Sequence, residues 1–134
     1  GMAVANPNKL NVLITGDVSF FYDSNALWNS YLPSNFRIIL INNNGGGIFN
    51  IIDGPKTSKQ NQLFVAPHQA KAEHICKAHN VEYSYVESIT ELEDKIAAFY
   101  QESDGVKLIE INTSEVDNSL VLQSYFNNLN KEIK

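Results

Sequence analysis

Four short apolar runs punctuate the chain: LNVLIT at 10–15, RIILI at 37–41, VEYSYV at 81–86 and VKLIEI at 106–111. The first two are β-branched and lack a polar face, the pattern of strands covered on both sides in a parallel sheet. Between the runs the apolar spacing changes to that of helices. Residues 20–31 predict a short helix capped by Asp23 or Ser24 and stopped by Pro33. A second helix is expected to open near Pro67 and run through HQAKAEHICKAH with Ala70, Ile75, Cys76 and Ala78 inward. Ser88 and Glu91 form a capping box for a third helix, SITELEDKIAAFYQ, with Ile89, Leu92, Ile96 and Phe99 on one face. Residues 117–133, carrying Leu120, Leu122, Tyr125, Phe126 and Leu129, predict a closing helix. The alternation places the chain in the α/β class with a parallel sheet.

One connection is out of proportion. Residues 53–66 form a stretch of 14 rich in Lys, Gln, Asn and Ser, long for a loop between strand and helix, and this reads as a lid.

At 134 residues the chain has the length of one domain. A net charge of −5 at pH 7 argues against a partner with a phosphate backbone. Hydrophobic residues at 43% are enough for a core, which excludes general disorder. There is no apolar run of membrane-spanning length and no signal-peptide pattern at the start, so a soluble, cytoplasmic protein is expected. The single cysteine, Cys76, reads as a small buried apolar residue in a reducing compartment.

The candidate chemistry sits directly after the first two strands. Gly16-Asp17-Val18-Ser19 follows LNVLIT, and Asn42-Asn43-Asn44-Gly45-Gly46-Gly47 follows RIILI. Both lie at carboxyl ends, the edge of a parallel sheet where ligands bind. A carboxylate from Asp17, an Asn amide oxygen and a backbone carbonyl of the glycine turn make a hard-oxygen set suited to Mg²⁺. The glycines are also expected to free N–H groups for a phosphate, at the start of a helix formed by the following residues.

Together these residues resemble a family. Gly-Asp-x-Ser followed, 26 residues after Asp17, by the Asn pair at Asn43 is similar to the thiamine diphosphate and Mg²⁺ motif of thiamine-dependent enzymes. TGDVSFFYDSNALW and INNNGGGIFNII look closely like the 2-succinyl-5-enolpyruvyl-6-hydroxy-3-cyclohexene-1-carboxylate synthases of menaquinone biosynthesis. The resemblance implies a three-layer α/β/α thiamine diphosphate-binding fold truncated at its N-terminal side. Residues 1–134 would then be the C-terminal domain of a longer enzyme. By motif position it assigns Asp17, Asn43 (rather than Asn44) and Gly45 to Mg²⁺, and Gly16, Val18, Ser19 and Gly46 to the diphosphate. Ile48 and Phe49 would lie beside the thiazolium. The implied reaction decarboxylates 2-oxoglutarate and adds the four-carbon unit to isochorismate, within a homo-oligomer. The activating glutamate comes from a pyrimidine-binding domain of a partner subunit, so this chain alone is expected to be inactive.

Three alternatives compete: another thiamine-dependent 2-oxo-acid decarboxylase or acetolactate synthase, a flavodoxin-like or receiver-like phosphate-binding module, and a dimerisation module. The end of the third strand, Val86-Glu87-Ser88, disfavours a receiver. His68, His74 and His79 are spaced wrongly for a zinc site, though His68 is a candidate substrate contact. Glu110 and Glu115 read as solvated carboxylates, Lys56, Lys59 and Lys71 as surface charges, and Phe20, Phe21, Tyr22 and Trp28 as packing around the first crossover.

Overall fold

The computed structural model describes residues 1–132. Four strands form one sheet: β1 (Asn11–Gly16), β2 (Phe36–Asn42), β3 (Glu82–Val86) and β4 (Lys107–Asn112). Their order is β1-β2-β4-β3 and every pairing is parallel. Six helices accompany them: α1 (Met2–Ala5), α2 (Asp17–Asp23), α3 (Asn61–Val65), α4 (Glu73–Ala78), α5 (Ile89–Tyr100) and α6 (Asn118–Glu132). All four strands fall on the apolar runs that predict them.

Alternation along β2 builds two cores, one on each face of the sheet. Ile38 and Leu40 join Leu108 against Phe20, Leu27, Ala72 and Cys76 from the α2 and α4 side. Ile39 packs with Ile109 and Ile111 against Val86 and α5, which contributes Leu92, Ile96 and Phe99. The fold is thus a three-layer α/β/α sandwich. Two charged residues start the central strands and are buried, because α5 gives them partners. Arg37 donates from Nε to Phe99 O at 2.8 Å and from Nη2 to Gln101 O at 2.6 Å, and Lys107 Nζ donates to Ala98 O at 2.9 Å. They satisfy carbonyls that a helix C-terminus leaves open.

The helix expected over residues 117–133 runs Asn118–Glu132, and Ile133 lies outside the described residues. Ser88 caps α5 as its spacing predicts, accepting the Glu91 N–H at 3.2 Å. The Glu91 carboxylate reaches one residue further out, to the Glu87 N–H. Cys76 lies buried on α4 as expected.

Several expectations are corrected. The helix expected over residues 20–31 starts instead at Asp17 and gives way to a 3₁₀ turn at Ser24–Trp28, and neither Asp23 nor Ser24 caps it, the Ser24 hydroxyl donating back to Phe21 O. Ile89, at the first turn of α5, is exposed rather than packed with Leu92, Ile96 and Phe99. β1 is not covered on both sides: it is an edge strand paired only with β2, and Ile14 is 68% exposed. The helix from Pro67 begins only at Glu73, because the N–H groups of His68, Ala70 and Ala72 bond to Asn44 O, His68 Nδ1 and Glu110 Oε2 instead of helical carbonyls. Its inward face is accordingly Ala72, Ile75 and Cys76, while Ala70 and Ala78 are exposed. Tyr22 and Trp28 point outward, leaving Phe20 and Phe21 to pack the crossover. Leu120, Tyr125 and Phe126 of α6 remain exposed, so that helix closes no core. The long connection after β2 contains a 3₁₀ turn at Pro55–Thr57 and α3, with Phe64 beside the Phe49 ring at 5.7 Å.

Candidate functional site

The parallel register brings Gly16 opposite Ile41 and Asn42 opposite Asn112, so β1, β2 and β4 end on one edge. A cleft of about 580 Å³ opens there. Every residue singled out from the motifs lines it: Gly16, Asp17, Val18 and Ser19 from the β1 end, and Asn43, Gly45, Gly46, Ile48 and Phe49 from the β2 end. The motif reading missed Thr113, Asn118 and Leu122, which close the third side after β4. Their signal was positional, since VKLIEI ends at the same edge.

Asp17 is the centre of this geometry. It begins α2 directly at the strand end and is only 2% exposed. Its Oδ1 accepts the Val18 N–H at 2.7 Å and its Oδ2 the Gly45 N–H at 2.8 Å. Among the described residues no Lys or Arg nitrogen lies within 4.0 Å of it; the one titratable neighbour is His68, with Nε2 at 3.2 Å from Oδ2. Because His68 Nδ1 accepts the Ala70 N–H, the ring proton resides on Nε2 and faces the carboxylate, though not aligned as a hydrogen bond. His68 therefore stands beside Asp17, in a segment that is not helical.

The glycine turn works differently from expectation. The three N–H groups are taken within the protein: Gly45 donates to Asp17, Gly46 to Val65 O at 2.7 Å and Gly47 to Gly45 O at 2.9 Å. Nor does a regular α-helix follow; Gly47–Asn50 is a single 3₁₀ turn. What the glycines provide is close approach. A Cβ on Gly45 would lie 2.9 Å from Val65 O, one on Gly46 3.0 Å from the Phe49 ring, and one on Gly47 against Asn43 Nδ2. Asn44 takes φ of 63° and turns the chain, while Asn43 lines the cleft and Asn44 does not.

The donor chemistry fits a hard divalent cation. Each Asp17 oxygen keeps a lone pair beyond its N–H bond, Gly45 O accepts one bond and retains another site, and the Asn43 side chain makes no hydrogen bond among the described residues. Among the described residues no cluster of three His, Cys, Asp or Glu side chains is found; the donors at the cleft are oxygens, a set that suits a hard cation better than zinc. A buried carboxylate without a fixed cation is costly unless a mobile one joins it.

Glu110 is not the solvated carboxylate expected beside the end of the last strand; it is completely buried on β4. Its Oε1 accepts from Asn42 Nδ2 at 2.6 Å, and its Oε2 from the Ala72 N–H and the Tyr83 hydroxyl, both at 2.8 Å. Burial, then the bond to and the charge of Glu110, raise the Tyr83 phenol above its ordinary pKa. Glu115 is exposed as expected.

Residues 1–111 match the family described as the C-terminal TPP-binding domain of thiamine pyrophosphate enzymes. Several curated proteins named 2-succinyl-5-enolpyruvyl-6-hydroxy-3-cyclohexene-1-carboxylate synthase are similar to the chain. That of Christiangramia forsetii is 48% identical over 128 residues, 95% of this chain and 22% of its own length. Those of Flavobacterium johnsoniae and Porphyromonas gingivalis are 41% and 38% identical, over 95% and 90% of this chain. The chain spans between 21% and 23% of the length of these relatives.

Proposed function

Because the chain belongs to the C-terminal TPP-binding domain family of thiamine pyrophosphate enzymes, we propose that it holds the diphosphate end of thiamine diphosphate through Mg²⁺ and forms that part of a longer synthase. The observation that carries this reading is Asp17, a buried carboxylate with no Lys or Arg partner among the described residues, set beside Asn43 and Gly45 on one cleft. Asp17, the Asn43 amide oxygen and the Gly45 carbonyl would hold the metal. Gly16, Val18, Ser19 and Gly46 would border the diphosphate. Ile48 and Phe49 present the apolar wall suited to the thiazolium ring.

When bound, thiamine diphosphate supplies an electron sink for decarboxylation of a 2-oxo acid. The chain's own contribution is orientation and charge: the buried Asp17 carboxylate would offset the cation, and the Gly45 N–H keeps that carboxylate from turning away. Likeness to the named synthases supports 2-oxoglutarate and isochorismate as substrates of the full enzyme, in menaquinone biosynthesis. The exposed edge of β1 and the apolar residues left open on α6 are what a domain packed against further polypeptide needs. The activating glutamate is assigned to a pyrimidine-binding domain of a partner subunit in a homo-oligomer. A cytoplasmic location is consistent with a described chain in which no helix is long and apolar enough to cross a membrane.

The 134 residues alone are then a weak binder without turnover. Titration of labelled protein with thiamine diphosphate, with and without Mg²⁺, tests this through the amide shifts of Gly45, Gly46 and Gly47. Mg²⁺-dependent shifts that vanish in Asp17→Ala are expected. Shifts that ignore Mg²⁺, or survive in that variant, would overturn the metal assignment; turnover of 2-oxoglutarate by the chain alone would overturn its dependence on a partner.

A further inference from the structure

Buried polar groups outside the cleft are few among the described residues, and Arg37 and Lys107 bond to carbonyls at the end of α5. Glu110 does not. It lies on β4, lines no part of the cleft, and binds three donors from separate parts of the chain: β2, β3 and the irregular segment before α4. Two of those donors lead to the cleft by short paths. Asn42 Nδ2 donates to Glu110 and also to Ala70 O at 3.0 Å, while Asn42 Oδ1 accepts the Asn44 N–H at 2.9 Å. Ala72, held by Oε2, ends the irregular segment whose other end is His68. The two paths then meet, since the His68 N–H donates to Asn44 O at 3.1 Å and its ring faces Asp17.

We infer that Glu110 is a positioning residue for the cleft: it clamps residues 42–45 and 67–72 into one unit and so sets Asn43 and Gly45 against Asp17. This rests on the reading that the cleft takes Mg²⁺ and a diphosphate. The physical case is that the chain beyond Asn42 and the stretch 67–72 lack regular structure, and that their direct bonds, His68 N–H to Asn44 O and Asn42 Nδ2 to Ala70 O, depend on Asn42 and Ala72 being held in place, which Glu110 does from the buried strand β4. Irregular backbone is held only as firmly as its hydrogen bonds allow. A buried carboxylate offers acceptors enough to fix an amide side chain on one segment and a main-chain N–H on the other. Tyr83 completes its shell from β3, on the side away from the cleft.

Amide exchange and ligand titration on the full chain separate this role from general stability. Asn42→Ala cuts the path from Glu110 to the glycine turn; Glu110→Gln weakens both paths; Tyr83→Phe removes only the remote donor. The first two are expected to speed exchange of the Gly45, Gly46 and His68 amides by about tenfold, leaving α5 unchanged. They should also weaken Mg²⁺-dependent thiamine diphosphate binding by about tenfold, the usual scale for residues that orient ligands. Tyr83→Phe should leave both readouts near the parent. Should Glu110→Gln fail to fold, Glu110→Asp, which keeps the charge but draws the carboxylate back from Asn42 and Ala72, takes its place, because Asn42→Ala also removes Asn42's own bonds to Ala70 and Asn44. Unchanged exchange in Asn42→Ala, or equal loss in Tyr83→Phe, overturns the proposal. Absence of binding by the parent chain overturns the reading of the cleft, while the exchange comparison still decides the role of Glu110.

Discussion

Asp17 Oδ2 accepts the Gly45 N–H at 2.8 Å, a bond between residues 28 apart that ties the turn after β1 to the turn after β2. It fixes a carboxylate and a backbone carbonyl of the same glycine turn at one place. Asp17→Asn keeps the shape and one acceptor oxygen but removes the charge. The expected outcome is a fold that survives, seen by circular dichroism, with Mg²⁺-dependent binding weakened at least about tenfold by calorimetry. Equal affinity in the variant would mean that the charge does not hold the metal.

Gly47 has no left-handed backbone angle to protect, yet a Cβ there would press on the Asn43 amide. Gly47→Ala therefore tests Asn43 without touching it. Stability should move by no more than about 1 kcal/mol in urea unfolding, since the amide can swing away. Metal-dependent affinity should still fall by about tenfold. Loss of stability with unchanged affinity would put Asn43 outside the metal set.

Patterns local in sequence were legible before the fold. Apolar runs gave the four strands, Ser88 gave the start of α5, and the residues after β1 and β2 gave most of the cleft. What was not legible depends on distant partners. Glu110 sits inside an apolar run, near the end of its strand, where a lone carboxylate is usually solvated, and its side-chain donors, Asn42 and Tyr83, lie 68 and 27 residues away. Pro67 suits a helix start, but the N–H groups after it are claimed by Asn44 and Glu110. The run at β1 announces a strand without saying how many neighbours it has, and Ile14, on the edge strand, is largely exposed.

Arg37 is 1% exposed and donates to four carbonyls: Ser34, Phe36, Phe99 and Gln101. It joins the start of β2 to the end of α5. Arg37→Met keeps much of the apolar stem but leaves Phe99 O with no donor in a buried position and the other, part-buried carbonyls to water, a loss of about 1–3 kcal/mol. Urea unfolding should show it as a lower midpoint with an unchanged slope. Mg²⁺-dependent binding by whatever remains folded should stay at the parent value, because this end of the sheet is opposite the cleft.

Alkaline pH should unfold the protein by way of Cys76 and Tyr83. Burial, with a smaller contribution from the charge of Glu110, pushes the Cys76 thiol up to about 12. Burial and Glu110 likewise raise the Tyr83 phenol. Both groups are neutral in the folded protein at pH values where the unfolded chain has begun to ionise them. Unfolding then releases protons, so raising the pH favours the unfolded state. Their contribution is fully present below the unfolded thiol value of about 8.5 and is lost progressively towards about 12. Urea midpoints should be level from about pH 7 to 8 and fall from about pH 9 upward, where Cys76→Ala and Tyr83→Phe should each show a shallower fall than the parent. The same burial should keep native Cys76 unreactive to thiol reagents at about pH 8, with labelling only on unfolding. Identical alkaline slopes in all three proteins, or rapid labelling of the native thiol, would contradict the burial that sets both shifts.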